Sequence, residues 1–292
     1  MADIFTGTGV ALVTPFNADK SIDQDSLRKV IDHVIAGGVD FLVALGTTGE
    51  SVTLTANEKK EVVDIIISHT RSRVPIVMGM GSNFTAGIVE AIRNTDFTGI
   101  SGILSVAPYY NRPSQQGLYE HFSAIAGACP VPVIVYNVPG RTSSNISAET
   151  IVKLAKDHAN IVAVKEASGN FLQIMQIIRN KPKDFKVLSG DDTLTLPILS
   201  MGGAGVISVI ANSHPGEFSE MVHAALKKDL TEARELHYRL LDYIGALFEE
   251  GSPSGIKAAL QIMGLCSDEV RLPLISASDG LKSRLSRLMK AI

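Results

Sequence analysis

Ile161-Val162-Ala163-Val164-Lys165-Glu166-Ala167-Ser168 is the stretch on which the fold turns. Four apolar residues run without alternation into a lysine. A run of that kind reads as a short strand buried on both faces, as in a parallel sheet, with an amine at its C-terminal end. Desolvation disfavours the ammonium form of a lysine in such a place, and a neutral lysine is a nucleophile for carbonyl groups. The same lysine also fits a structural ion pair with Glu166, or a stem that snorkels out of the strand end.

Working outward, seven similar β-rich runs appear: Gly9–Phe16, Asp40–Gly46, Pro75–Gly81, Gly102–Tyr110, Pro132–Val138, Lys186–Gly190 and Gly203–Ala211. With Ile161–Ser168 they make eight, with onsets mostly roughly 25–35 residues apart, the length of one strand plus one crossover helix. Helical patterns lie between them. Leu27, Val30, Ile31 and Val34 recur at helical spacing before Gly37-Gly38, and Thr55-Ala-Asn-Glu58 is a capping-box signature. Ser147 and Asn170 open two more helices. Alternating strands and helices with buried strands predict an α/β fold. Eight units favour closure into a (β/α)8 TIM barrel over an open sheet.

The β signal stops near residue 224, and three helical patterns follow. The first spans Asp229–Glu249, with Leu236, Leu240, Ile244 and Leu247 on one face. The second begins after Pro253, and Leu281, Leu285, Leu288 and Ile292 mark the third. We therefore expect two parts, a barrel over 1–224 carrying the active site and a helical C-terminal extension over 225–292 packed on it.

Composition narrows the functional class. The 292 residues carry a net charge of −3, with Lys and Arg scattered, which gives no electrostatic case for nucleic acid or an anionic membrane. No apolar run approaches the ~18 residues of a membrane span, and no signal peptide is visible. Cys129 and Cys266 lie far apart and imply no disulfide framework. These features read as a cytoplasmic globular protein. The seven histidines are dispersed without metal-ligand spacing, so no metal is expected. No Gly-x-Ser-x-Gly occurs, and no Gly-x-Gly-x-x-Gly follows the first strand, so neither a hydrolase elbow nor a dinucleotide site is supported.

In such barrels the chemistry sits at the C-terminal ends of the strands. Those ends supply Thr47 and Thr48, Tyr109 and Tyr110, Tyr136, Arg141, Lys165 and Asp191. Tyr136, on the strand next to Lys165, is placed to move protons during imine chemistry, although a core tyrosine also fits. Thr47 and Thr48, in a Gly-flanked turn, can bind a carboxylate or simply cap a helix. Arg141 follows a Pro-Gly turn and suits a second carboxylate, or it is a solvated loop arginine. Asp191 and Asp192 read as caps of the helix after the seventh strand. Glu50 and Glu166 are acceptors without an assigned role.

Gly46-Thr-Thr-Gly-Glu-Ser51, Pro108-Tyr-Tyr-Asn-Arg-Pro-Ser114, Tyr136-Asn-Val-Pro-Gly-Arg-Thr142, Lys165-Glu-Ala-Ser-Gly169, Leu188-Ser-Gly-Asp-Asp192 and Gly205-Val-Ile-Ser-Val209 occur in order at the strand ends. Together they resemble the dihydrodipicolinate synthase (4-hydroxy-tetrahydrodipicolinate synthase) family. That family belongs to the pyruvate-dependent class I aldolase and N-acetylneuraminate lyase superfamily. The resemblance runs from about Gly7 to the C-terminus. It implies a lyase of diaminopimelate and lysine biosynthesis that condenses pyruvate with L-aspartate 4-semialdehyde, with no metal or organic cofactor. It also implies a homotetramer built as a dimer of dimers.

Carried over residue by residue, Lys165 forms the imine with pyruvate and Tyr136 relays protons. Thr47 links Tyr136 to Tyr110, which reaches in from a neighbouring subunit. Thr48 binds the pyruvate carboxylate and Arg141 that of the semialdehyde, while Gly190 and Ile207 give backbone contacts. A sialic-acid-lyase-like aldolase acting on keto-sugar or hydroxy-oxo acids is the alternative, and a catalytically silent binding barrel a third. Thr47, Tyr110 and Arg141 together favour the synthase. Where feedback-inhibited members place a glutamate for lysine, this chain has Gly87, with Lys59 nearby. The resemblance therefore implies weak or absent inhibition in a lysine titration.

Overall fold

The computed structural model describes residues 4–292. Eight strands close into a parallel barrel in sequence order: β1 (Gly7–Ala11), β2 (Phe41–Ala44), β3 (Ile76–Gly79), β4 (Gly102–Val106), β5 (Val133–Asn137), β6 (Ile161–Glu166), β7 (Lys186–Ser189) and β8 (Gly205–Ser208). Closure comes from β1, which pairs in parallel with both β2 and β8. The fold is thus the (β/α)8 barrel that the alternating sequence predicts.

Side chains alternate across the barrel wall, as the two-residue strand period requires. Ala11, Phe41, Val43, Val77, Leu104, Ile134, Ala163, Leu188 and Ile207 fill the interior. Their neighbours Val10, Leu42, Ile76 and Val206 pack outward on the helical shell. Gly9 shows why a small residue is needed at one inward position. A methyl group there would lie 2.2 Å from the Phe41 ring, which occupies that space from the next strand.

The shell consists of α1 (Gln24–Ala36), α2 (Ala56–Thr70), α3 (Thr85–Arg93), α4 (Gln115–Ala128), α5 (Pro139–Thr142), α6 (Ala148–Asp157), α7 (Phe171–Asn180), α8 (Thr195–Ser200) and α9 (Pro215–Leu226). Side-chain caps start α2, α6 and α7 where the sequence predicts them. Thr55 and Glu58 complete a capping box on α2, and Ser147 and Asn170 cap α6 and α7.

Three more helices follow: α10 (Leu230–Phe248), α11 (Ser254–Ile262) and α12 (Asp279–Met289). Leu236, Leu240, Ile244 and Leu247 of α10 share one apolar core with α1, α9 and the outer faces of β1 and β8. No helix among the described residues is long and apolar enough to cross a membrane.

All eight strands are shorter than their apolar runs, and the first, fourth and eighth stop well before the run ends. The first does not continue to Phe16, because Asn212 takes over the ladder's partners: its side chain accepts from Val13 N (3.1 Å) and donates to the Ala11 carbonyl (2.8 Å). The eighth stops at Ser208 and turns into a tight helical turn, Ile210–Asn212. The fourth stops at Val106. Pro108, two residues on, has no N–H to give a ladder, and Tyr109 and Tyr110 belong to the following loop.

Candidate active site

Lys165 occupies an inward position near the end of β6, two residues after the inward Ala163, and is only 6% exposed. On β5, Tyr136 is its register partner. The Lys165 Nζ lies 4.4 Å from the centroid of the Tyr136 ring. Gly190, just after β7, leaves room for the lysine stem. A methyl group there would sit 3.1 Å from Lys165 Cε and 2.6 Å from the Ala167 Cβ. Its N–H donates to the Glu166 carbonyl (2.8 Å), which fixes this close approach. Ile207 is buried on β8 and belongs to the same interior cluster as Tyr136 and Leu188.

The turn after β2 carries the two threonines. Gly49 N donates to the Gly46 carbonyl (3.1 Å) and Glu50 N to the Thr47 carbonyl (3.0 Å), while the Thr14 hydroxyl donates to the Gly49 carbonyl (2.7 Å). Thr48 is buried and Thr47 is exposed. The remaining two residues stand outside the closed mouth. Tyr110 is 87% exposed and sits in the left-handed region at φ 75°. Its N–H donates to the Thr142 carbonyl (3.3 Å), which ties the loop after β4 to the short helix α5 bearing the exposed Arg141. Lys165, Tyr136, Gly190 and Ile207 are therefore brought together, whereas Tyr110 and Arg141 project from the rim.

Glu166 does not pair with Lys165. Strand alternation turns it outward, where its carboxylate accepts from Asn137 Nδ2 (3.1 and 3.2 Å), Ser168 N (2.8 Å) and Gln173 Nε2 (3.1 Å). Burial raises its pKa, and these donors oppose the rise. Among the described residues, no carboxylate lies within ion-pair distance of Lys165. Nor do those residues include a cluster of three or more His, Cys, Asp or Glu able to hold a metal.

The aspartates after β7 differ from the expected helix caps. Asp191 Oδ1 accepts from Thr193 N and Oγ1, shaping a turn ahead of α8, whose N-cap Leu194 makes no side-chain cap. Asp192 instead reaches β8, where its Oδ2 accepts from the amides of Val209 (3.0 Å) and Ile210 (2.9 Å). Full burial is the main cause that pushes its pKa up to about 6. A carboxyl group raised in this way favours the folded state at low pH. That contribution is lost as pH rises from the unfolded carboxyl value through about 6. Asp192→Asn keeps one acceptor oxygen for both amides and removes the charge. We expect the variant to exceed the parent in urea stability by about 1–3 kcal/mol near neutral pH, with the gain vanishing at about pH 4. An equal difference at both pH values would contradict this account.

The sequence reading also missed an ion pair. Lys257 of α11 lies within the apolar run Gly255-Ile-Lys-Ala-Ala-Leu260, and it meets Glu50 across the top of the barrel. A lysine inside a run that is otherwise entirely apolar was the available signal, since such a charge is buried only with a partner.

A buried amine stacked on a tyrosine ring in a barrel mouth is suited to condensing with a carbonyl compound, with the phenol at hand for proton transfer. The chain is similar to known proteins along its whole described length. Residues 4–292 match the Dihydrodipicolinate synthetase family. A Flavobacterium psychrophilum 4-hydroxy-tetrahydrodipicolinate synthase is 49% identical over 99% of this chain and 98% of its own length. The crystal structure of dihydrodipicolinate synthase from Aquifex aeolicus superposes with a TM-score of 0.94 at 41% identity, covering 98% of this chain and 97% of that one. The chloride-inhibited dihydrodipicolinate synthase from Acinetobacter baumannii, solved in complex with pyruvate, has a TM-score of 0.94 at 38% identity, covering 98% of both chains.

Proposed function

The chain belongs to the dihydrodipicolinate synthetase family, and from that premise we propose that it condenses pyruvate with L-aspartate 4-semialdehyde, holding pyruvate as an imine on Lys165. It is a lyase that forms 4-hydroxy-tetrahydrodipicolinate on the diaminopimelate route to lysine. The observation that carries the reading is the placement of the buried Lys165 Nζ over the Tyr136 ring at the reactive rim of the barrel.

The chemistry follows from the two substrates. The Lys165 amine adds to the pyruvate C2 carbonyl, and loss of one water leaves an imine. A proton then leaves the pyruvate methyl group, and the resulting enamine carbon forms the new bond to the aldehyde carbon of the semialdehyde. The semialdehyde's own amine next attacks the imine carbon, closing the ring and freeing Lys165. Tyr136 is the nearest phenol and relays the protons of carbinolamine formation and breakdown. Thr48, buried in the Gly-flanked turn, receives the pyruvate carboxylate. Arg141, exposed on α5, receives the carboxylate of the second substrate. Gly190 and Ile207 line the imine. None of these steps calls on a metal or organic cofactor.

Thr47 would join Tyr136 to Tyr110 of a neighbouring subunit. The exposure of Tyr110 in a strained backbone conformation supports a role outside its own barrel mouth. Val52, Phe84 and Tyr109 are exposed too and supply apolar surface for a second copy. We therefore assign a homotetramer built as a dimer of dimers. The two cysteines are free and buried, which supports a reducing cytoplasm as its location.

Turnover of the purified protein decides the second substrate. The reading predicts a kcat/KM for aspartate semialdehyde on the order of 10²-fold or more above that for N-acetylneuraminate or a 2-keto-3-deoxy sugar acid, because a site built for a carboxylate leaves its arginine unpaired with a neutral polyol. The reverse ranking would make the chain a pyruvate-releasing aldolase.

A further inference from the structure

The turn that carries Thr47 and Thr48 ends on Glu50, a residue held at φ 52°. The left-handed region is costly for a side chain with a Cβ, and it persists only where surrounding contacts over-determine it. Here those contacts come from the far end of the chain. Lys257 Nζ donates to Glu50 Oε1 at 2.5 Å, with side-chain exposures of 0% and 1%, and also to the Glu269 carbonyl at 2.8 Å. The ammonium lies 4.1 Å from the centroid of the Phe16 ring. The second Glu50 oxygen accepts from Arg271 N (3.0 Å). The Arg271 guanidinium in turn grips both Glu58 oxygens and the Thr53 carbonyl, on the segment that follows the turn.

Burying an ion pair is a weak source of stability, since desolvation of both charges offsets their attraction. The best-attested use of such a pair is to fix a register. This one fixes the turn between β2 and α2. We propose that Lys257 is a positioning residue for the keto acid: by clamping Glu50 it sets the turn that presents Thr47 and Thr48, so the C-terminal helices tune pyruvate binding without touching pyruvate. The inference rests on the reading that Thr48 receives the pyruvate carboxylate.

Lys257→Met keeps the stem volume but strands a buried carboxylate, so that single variant is expected to fold poorly. The double variant Glu50→Gln with Lys257→Met removes both charges and still offers Arg271 N an acceptor, and it is the informative protein. Its circular dichroism and melting temperature should stay close to the parent's. The pyruvate concentration that half-saturates borohydride trapping on Lys165, and the pyruvate KM, should both rise about 10-fold or more, with the semialdehyde KM within about twofold. That split is what displaced carboxylate donors produce and a loosened fold does not. A folded double variant with unchanged pyruvate dependence overturns the proposal, as does an equal rise for both substrates. Trapping of the parent protein serves as the control. If the parent forms no adduct, the functional reading itself fails, whatever the variant does.

Discussion

Lys165→Ala is expected to lower kcat by roughly 10⁴-fold or more, the scale on which removal of a catalytic nucleophile acts. The side chain is buried at the end of β6, where its amine lies over a tyrosine ring and its stem packs beside Gly190. The other deeply buried lysine near the rim, Lys257, is engaged by Glu50 and the Glu269 carbonyl and cannot substitute. Because no carboxylate among the described residues pairs with Lys165, its loss leaves no orphaned charge, and the melting temperature should change by only a few degrees. Lys165→Arg sharpens the test. A guanidinium keeps most of the stem but is always positively charged near pH 7, so it forms no imine. Equal loss in both variants points to nucleophilic chemistry. Survival of activity in the arginine variant would point to a purely electrostatic role.

Tyr136→Phe carries the next largest effect. The ring that stacks under Lys165 Nζ at 4.4 Å is retained, and only the hydroxyl disappears. If the phenol relays protons during carbinolamine formation and breakdown, kcat falls by about 10²–10³-fold, in the range of a lost general acid–base group. The pyruvate KM should move far less, since the contact to the carboxylate is assigned to Thr48. Single-turnover trapping separates the steps, with imine formation slowed in proportion to kcat. A phenylalanine variant within about threefold of the parent would remove Tyr136 from the chemistry and leave it a core aromatic.

The local signals in the sequence carried the fold a long way. Strand period, helix period and caps at Thr55, Ser147 and Asn170 each depend on residues a few positions apart, so eight alternating units could be counted directly. From the count, Lys165 fell on the sixth strand beside Tyr136, and the register pairs those two residues. What stayed hidden depends on pairs remote in sequence. Asn212 ends β1 by reaching 201 residues back to Ala11, and Lys257 meets Glu50 across 207 residues. Asp192 looked like a helix cap because aspartate after a strand usually is one, yet its carboxylate bonds the amides at the end of β8. Glu166 could have been placed from alternation alone. A residue next to an inward lysine must face the helices, and there it meets Asn137 and Gln173. Tyr110 shows the opposite limit, because it projects from its own barrel and the role proposed for it belongs to a neighbouring subunit, which local sequence signals do not describe.

The central claim is a covalent bond between one lysine and pyruvate. Its most direct test is borohydride reduction of the purified protein with pyruvate present, followed by mass mapping of the peptides. The account predicts a single carboxyethyl adduct on the peptide that contains Lys165, absent when pyruvate is omitted. A protein that turns over aspartate semialdehyde without that adduct, or that carries it on another lysine, would contradict the mechanism.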